Sequence, residues 1–251
     1  MCRPAAAVLS VFLFLACSGV SPDAASGPEG SAEAFDVVIL GGRIVDGTGN
    51  AGFPGDVGIQ NDQITAITPA GLLANAEAEL RIDATDMVVS PGFIDIQSHS
   101  RSSFLGDGDG RVVSKVTMGV TTEIMGESTT NGPSGPAMLE AAGNATGSTV
   151  FETFGDWMRA MESHGASVNV GSFVGASTVR VLGKGEAMGE ADAEELALMQ
   201  DAVRQSMEDG AFGVASALIY PPGNFASTRE LIEINRAAAP YGGVYITHLR
   251  S

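Results

Sequence analysis

Between Phe35 and Val89, apolar and polar positions alternate in short runs broken by glycine. "FDVVILGGRIVDG" (Phe35–Gly47) alternates around its Gly-Gly pair. "GDVGIQNDQITAITP" reads as a hairpin, with Val57–Gln60 and Gln63–Thr68 joined by a turn at Asn61–Asp62. "LRIDATDMVVSPG" continues in strands. This pattern predicts a small all-β region over residues 35–89.

From Gly92 the rhythm lengthens. Apolar runs near Phe93–Ile96, Thr121–Met125, Val168–Val174, Gly213–Leu218 and Val244–Thr247 alternate with helical patterns. In "AEELALMQDAVRQSMEDGA", Leu196, Leu198, Met199, Ala202, Val203 and Met207 predict one apolar helix face, stopped by Gly210. "STRELIEINRAAAPYGG" predicts a second helix, with Ser227 and Glu230 spaced as a capping box. Strand followed by helix, repeated, means βα units on a parallel sheet, so residues 90–251 read as α/β. A full (β/α)8 barrel takes about 250 residues, and only about 160 follow the β region here. The expectation is therefore a partial TIM barrel of about five βα units, with three more expected beyond Ser251. A free-standing doubly wound sheet is the alternative, but no nucleotide fingerprint follows any strand. "VGASTVRVLGKGEAMGE" reads as a glycine-rich stretch without the phosphate-binding spacings, which places Lys184 in a loop.

Composition narrows the possible partners. The chain has 251 residues, 44% of them apolar and 17% charged, which is a globular balance. A formal net charge of −17 argues against nucleic acid and against a broad electrostatic grip on anionic lipid. The leader "MCRPAAAVLSVFLFLACSG" carries Arg3 and an apolar run from Ala5 to Ala16, as in a secretory signal. "FLAC" at Phe14–Cys17 resembles a bacterial lipobox. Residues 1–17 are thus expected to be a signal peptide of lipoprotein type with Cys17 lipidated, the rival being a plain signal peptide cut near Ala24–Ala25. Residues 18–34, rich in Ser, Gly, Pro and Ala, read as a flexible linker. The expected location is exported, periplasmic or membrane-anchored through lipid alone. The only cysteines are Cys2 and Cys17, so the rest of the chain has no thiol for a disulfide or a metal.

Function on a βα framework sits at the C-terminal ends of strands. Three such ends carry candidate chemistry: Gln97 and His99 in "VVSPGFIDIQSHS", Glu127 in "GVTTEIMGES", and His248 in "GGVYITHLRS". Two histidines and a carboxylate converging on one mouth can hold Zn²⁺. Gln97 stands where an H-x-H pair would have its first histidine. His164, before Gly165, suits a helix C-terminus, and Trp157 reads as core.

These stretches, with "SVNVGSFVGASTVR", "GAFGVASALIYPPGNFASTRELIEI" and the opening "FDVVILGGRIVDGTG", resemble the N-acyl-D-amino-acid deacylase (D-aminoacylase) family of the amidohydrolase superfamily. The resemblance covers residues 35–251. It implies a TIM barrel beside a small β-sandwich built from both chain ends, residues 35–89 supplying one part. It implies zinc-dependent hydrolysis of the amide bond of N-acyl-D-amino acids or similar D-configured substrates. On this resemblance Glu127, His248 and His99 are metal residues, Tyr220 holds the substrate carboxylate, Gln97 turns to hydrogen bonding, and one zinc ion is expected per site. The general-base aspartate is expected beyond Ser251. The carbamylated lysine of other amidohydrolases finds no counterpart in Lys115, in a predicted helix, or in Lys184. Other cyclic-amidase or dipeptidase-type amidohydrolases, and an inactive surface-tethered binding lipoprotein, remain as alternatives.

Overall fold

The computed structural model describes residues 34–105, 109–143 and 149–250. The predicted leader with its lipidation position Cys17, and linker residues 18–33, lie outside the described residues. The described residues divide into two units between Ser90 and Pro91.

The first unit is one sheet of β1 (Phe35–Ile44), β2 (Phe53–Gln60), β3 (Gln63–Pro69), β4 (Ala78–Asp83) and β5 (Val88–Val89). The order is β3-β2-β1-β4, with β5 also on β1. The β2–β3 hairpin turns at Asn61 and Asp62, both left-handed (φ 50° and 62°), which Asn and Asp tolerate and the strand twist favours. β1 carries a register shift between Ile39 and Gly42, where Gly41 adopts φ 71°. The fully buried Asp56 ties this bulge down. Its Oδ1 accepts the Gly41 N–H at 2.8 Å, and its Oδ2 accepts the N–H groups of Gly71 at 2.7 Å and Leu73 at 3.0 Å. Among the described residues this unit is a single layer, so the sandwich implied by the resemblance has only one sheet here.

The second unit alternates strand and helix. Its elements are β6 (Phe93–Asp95), α1 (Arg101–Phe104), α2 (Val113–Val116), β7 (Val120–Met125), α3 (Pro136–Gly143), α4 (Phe154–His164), β8 (Asn169–Ser172), β9 (Val174–Gly175), α5 (Ala176–Lys184), α6 (Ala193–Glu208), β10 (Gly213–Ala217), α7 (Thr228–Ala238) and β11 (Val244–His248). β6, β7 and β8 pair in parallel, as do β9, β10 and β11. Only Phe173 separates β8 from β9, so one stretch of chain links the two sheets. Strand order then follows chain order in one direction, whereas a doubly wound sheet reverses. No closed barrel forms among the described residues. The core lies between strands and helices and includes Trp157, Phe154, Met199, Val203 and Val214, with Phe154 and Trp157 edge to face at 5.7 Å.

Three local expectations change. "ASTVRVLGK" is the helix α5, so Lys184 ends a helix and is not in a loop. Its apolar positions were hidden by flanking glycines and by Arg180, which is buried and paired with Glu230. Leu198 leaves the apolar face of α6 and is exposed, while Ser206 joins the buried face instead. The Ser227 hydroxyl does accept the Glu230 N–H at 3.2 Å, but the Glu230 carboxylate goes to Arg180. A reciprocal capping box forms at Asp192–Glu195, heading α6.

Candidate active site

β6 ends at Asp95, and the chain then turns, so the predicted tip residues lie just beyond the strand. Ser98 is the inward residue. Its N–H bonds the Ile124 carbonyl at 2.9 Å, and its hydroxyl donates to Glu123 Oε2 at 2.8 Å. The Ser100 hydroxyl reaches Glu123 Oε1 at 3.3 Å. Two serine donors thus engage a carboxylate buried on β7, offsetting part of the cost of taking its charge from water. Gln97 and His99 flank Ser98 and both face solvent. The Gln97 N–H bonds Asp95 Oδ1 at 3.1 Å.

Glu127 lies two residues past β7. Gly126, at φ 100°, makes that approach possible: a Cβ there would sit 2.1 Å from the Phe173 carbonyl oxygen. The turn is further fastened by Ser128, whose hydroxyl shares a hydrogen bond with Ser177 at 2.9 Å. Glu127 is thereby held with a side chain only 7% exposed. Its Oε2 meets His99 Nε2 at 3.0 Å, an ion pair when the ring is protonated. Its Oε1 is buried with no hydrogen-bond partner.

The other two predicted residues form a second pair. His248 closes β11 opposite Ala217 of β10, is exposed, and its Nδ1 lies 3.2 Å from the Leu249 carbonyl oxygen. Tyr220, past the end of β10, brings its ring centroid to 6.2 Å from the His248 ring. The strand ends therefore present His99 with Glu127, and His248 with Tyr220. Among the described residues no group of three or more His, Cys, Asp or Glu gathers as a metal cage, so the expected three-residue set is not assembled.

Two cations here have contacts the sequence did not show, Lys115, weighed only as a carbamylated-lysine counterpart, and Arg101, passed over altogether. Lys115 on α2 is ion-paired with Asp95. That hydrogen bond holds the Asp95 carboxyl below its ordinary value and the Lys115 ammonium above its own. Arg101 opens α1, and its Nη1 donates to the Thr129 carbonyl oxygen at 2.9 Å. Burial pushes the Arg101 guanidinium below its ordinary value. The signal in sequence was its place, two residues after His99.

No family profile matches the chain. D-aminoacylase of Alcaligenes xylosoxydans xylosoxydans is 34% identical over 230 residues, covering 88% of this chain and 46% of that protein. A crystal structure of D-aminoacylase, described as defining a novel subset of amidohydrolases, superposes with a TM-score of 0.73 at 34% identity, covering 86% of this chain and 46% of its own. N-acyl-D-glutamate deacylase from Bordetella bronchiseptica, solved with zinc and a phosphonate mimic of the reaction's tetrahedral intermediate, gives a TM-score of 0.78 at 30% identity, covering 87% of this chain and 46% of its own. The chain spans about half the length of the curated relatives it matches. Shared sequence across most of the chain, with the same fold, means that it belongs to the D-aminoacylase family of the amidohydrolases, among the N-acyl-D-amino-acid deacylases.

Proposed function

We propose that the protein carrying this chain is a zinc-dependent amidohydrolase that frees a D-amino acid from its N-acyl group. The observation that carries the reading is the buried, unpartnered Oε1 of Glu127 beside the His99 ring. A carboxylate oxygen sealed from water without a donor is costly unless a cation supplies the missing charge. Carboxylate and imidazole are a fitting zinc donor set, so Glu127 and His99 would hold the ion, with His248 a third candidate from β11. A zinc ion held there would supply the Lewis acidity that polarises a substrate carbonyl and makes a water more acidic.

The chain's own side chains supply the rest. Glu127 orients the His99 ring through the 3.0 Å contact. Tyr220, exposed beside His248, offers its hydroxyl to the substrate carboxylate. Gln97, exposed on the β6 tip, offers an amide for hydrogen bonding; a neutral amide oxygen is a poor zinc ligand beside imidazole, which favours one ion over two. The one-directional run of parallel strands fits an arc of a (β/α)8 barrel. Export with lipidation at Cys17 belongs to the same reading and rests on the leader's apolar run.

Zinc content and stereoselectivity test it. The protein is expected to hold zinc, to lose it in Glu127→Ala, and to hydrolyse N-acyl-D-amino acids faster than the L forms. Undiminished zinc in the variant removes the ligand assignment, and equal rates on both enantiomers remove the D-amino acid assignment. Gln97 alone favours a second reading, a tethered protein that binds such compounds without turnover; stereoselective binding with no hydrolysis by the zinc-loaded protein would select it.

A further inference from the structure

We propose that Arg101 anchors an anion subsite beside the His99–Glu127 pair, one that takes a second carboxylate of the substrate; this rests on the N-acyl-D-amino acid reading above. Two contacts bridge the loops after β6 and β7: His99 Nε2 to Glu127 Oε2 at 3.0 Å, and Arg101 Nη1 to the Thr129 carbonyl oxygen at 2.9 Å. Each joins residues 28 apart in sequence, so the two side chains leave the same tip toward the same neighbouring loop. Arg101 then lines a cavity of about 540 Å³ with Thr129, Thr130, Ser177, Glu186 and Pro221. That volume suits a small-molecule substituent.

The polar lining is unequally committed. The Thr178 hydroxyl accepts the Thr130 N–H at 2.8 Å, the Thr130 hydroxyl accepts the Gly175 N–H at 3.4 Å, and Ser177 is bonded to Ser128. Those hydroxyls fasten loops. Arg101 spends one of its five N–H donors on Thr129, and among the described residues it has no carboxylate partner within ion-pair distance. A half-buried guanidinium with free donors in a fixed fork recognises a carboxylate in two-point fashion. Pro221 follows Tyr220 directly, so the cavity adjoins the residue assigned to the α-carboxylate, and a second acidic group of the same substrate falls to Arg101. Glu186, exposed on the cavity from the loop after α5, opposes an anion that reaches it.

The second carboxylate has two sources, an acidic D-residue side chain or a dicarboxylic acyl group. Calorimetric titration of the full chain separates them with two matched pairs: N-acetyl-D-glutamate against N-acetyl-D-glutamine, and N-succinyl-D-leucine against its terminal amide. The acid should bind roughly tenfold or more tightly than the amide in one pair, and that pair names the source. Arg101→Met should bring the ratio to about one, Arg101→Lys should keep part of it, and Glu186→Gln should raise it. A ratio near one in the unaltered protein for both pairs, or a ratio that survives Arg101→Met, overturns the proposal. N-acetyl-L-glutamate serves as the separate arm: equal affinity for D and L forms, with the acid preference intact, defeats the D-amino acid reading and leaves the subsite standing.

Discussion

The β sheet of residues 34–90 and the loops at the ends of β6 and β7 each sink a carboxylate out of solvent, and they treat it in opposite ways. Asp56 is fully buried, and both its oxygens are occupied by three backbone N–H groups. Glu127 is nearly as deep, yet one oxygen meets only His99 and the other meets nothing. The arrangement at Asp56 needs no visitor, because its charge holds a bulge and a turn together. The arrangement at Glu127 leaves one oxygen unanswered by the protein, which is what the proposed cation would supply. Burial alone does not separate the two; the count of partners does.

If that distinction is right, carboxylates with full partner sets should matter most for stability. The largest effect is expected for Glu230→Ala, which strands Arg180 in the core beneath α7. Losing one member of a buried pair costs about 3–5 kcal/mol, read as a lowered midpoint in chemical denaturation. A loss under about 1 kcal/mol would show that Arg180 finds enough support in the carbonyls of Ala187 and Gly189. Asp56→Ala comes next. It leaves the N–H groups of Gly41, Gly71 and Leu73 without their acceptor, at a cost of about 3 kcal/mol. Loss of amide protection should begin at those three positions in hydrogen exchange. Exchange unchanged at Gly41 would mean that the bulge stands without the side chain.

Glu127→Gln should behave otherwise. Removing a buried charge whose one contact is an exposed histidine relieves about as much as it loses, so metal-free stability should stay within about 1 kcal/mol of the unaltered protein. Destabilisation as large as that of Asp56→Ala would put Glu127 among the structural carboxylates and dissolve the comparison.

What the sequence disclosed follows from which forces act locally. Five apolar runs marked the six strands of the second unit, the run Val168–Val174 covering both β8 and the start of β9, and the β2–β3 hairpin was marked by Asn61–Asp62, because periodicity and turn chemistry are written within a few residues. Helix α5 was hidden, since its buried face includes Ser177, Thr178 and Arg180, polar residues whose place is set by partners far along the chain. At the site, His99, Glu127 and His248 were each marked by position at a strand end, whereas Tyr220 came only from the family resemblance. That they fall into two pairs depends on contacts across 28 residues in each case, which no local pattern encodes. Glu123 had a readable signal, a carboxylate inside an apolar strand, but its serine donors on the neighbouring loop did not.

The smallest effect concerns the pair between Asp95 on β6 and Lys115 on α2, both partly open to solvent. Here the carboxylate has a full partner but little burial, so the comparison predicts a weak, titratable contribution. The Lys115 hydrogen bond lowers the Asp95 pKa from 3.8, so the folded state binds that proton less readily than the unfolded chain. Stability from Asp95 is therefore present above the unfolded value and is lost as pH falls through the lowered folded one. For Lys115 the sign is reversed: its pKa is raised from 10.5, so its contribution is full below that value and fades as pH climbs through the raised one. Between the two limits, Lys115→Met should cost about 0.2–1 kcal/mol, flat with pH and smaller in high salt. As pH falls from 3.8 through the lowered folded value, the gap to the unaltered protein should close, because protonation of Asp95 removes the charge that Lys115 answers. Urea denaturation of both proteins at neutral and acidic pH measures that gap. One that persists undiminished well below the Asp95 transition would mean that Lys115 acts through its packed methylenes and its pull on buried Glu123, not through Asp95.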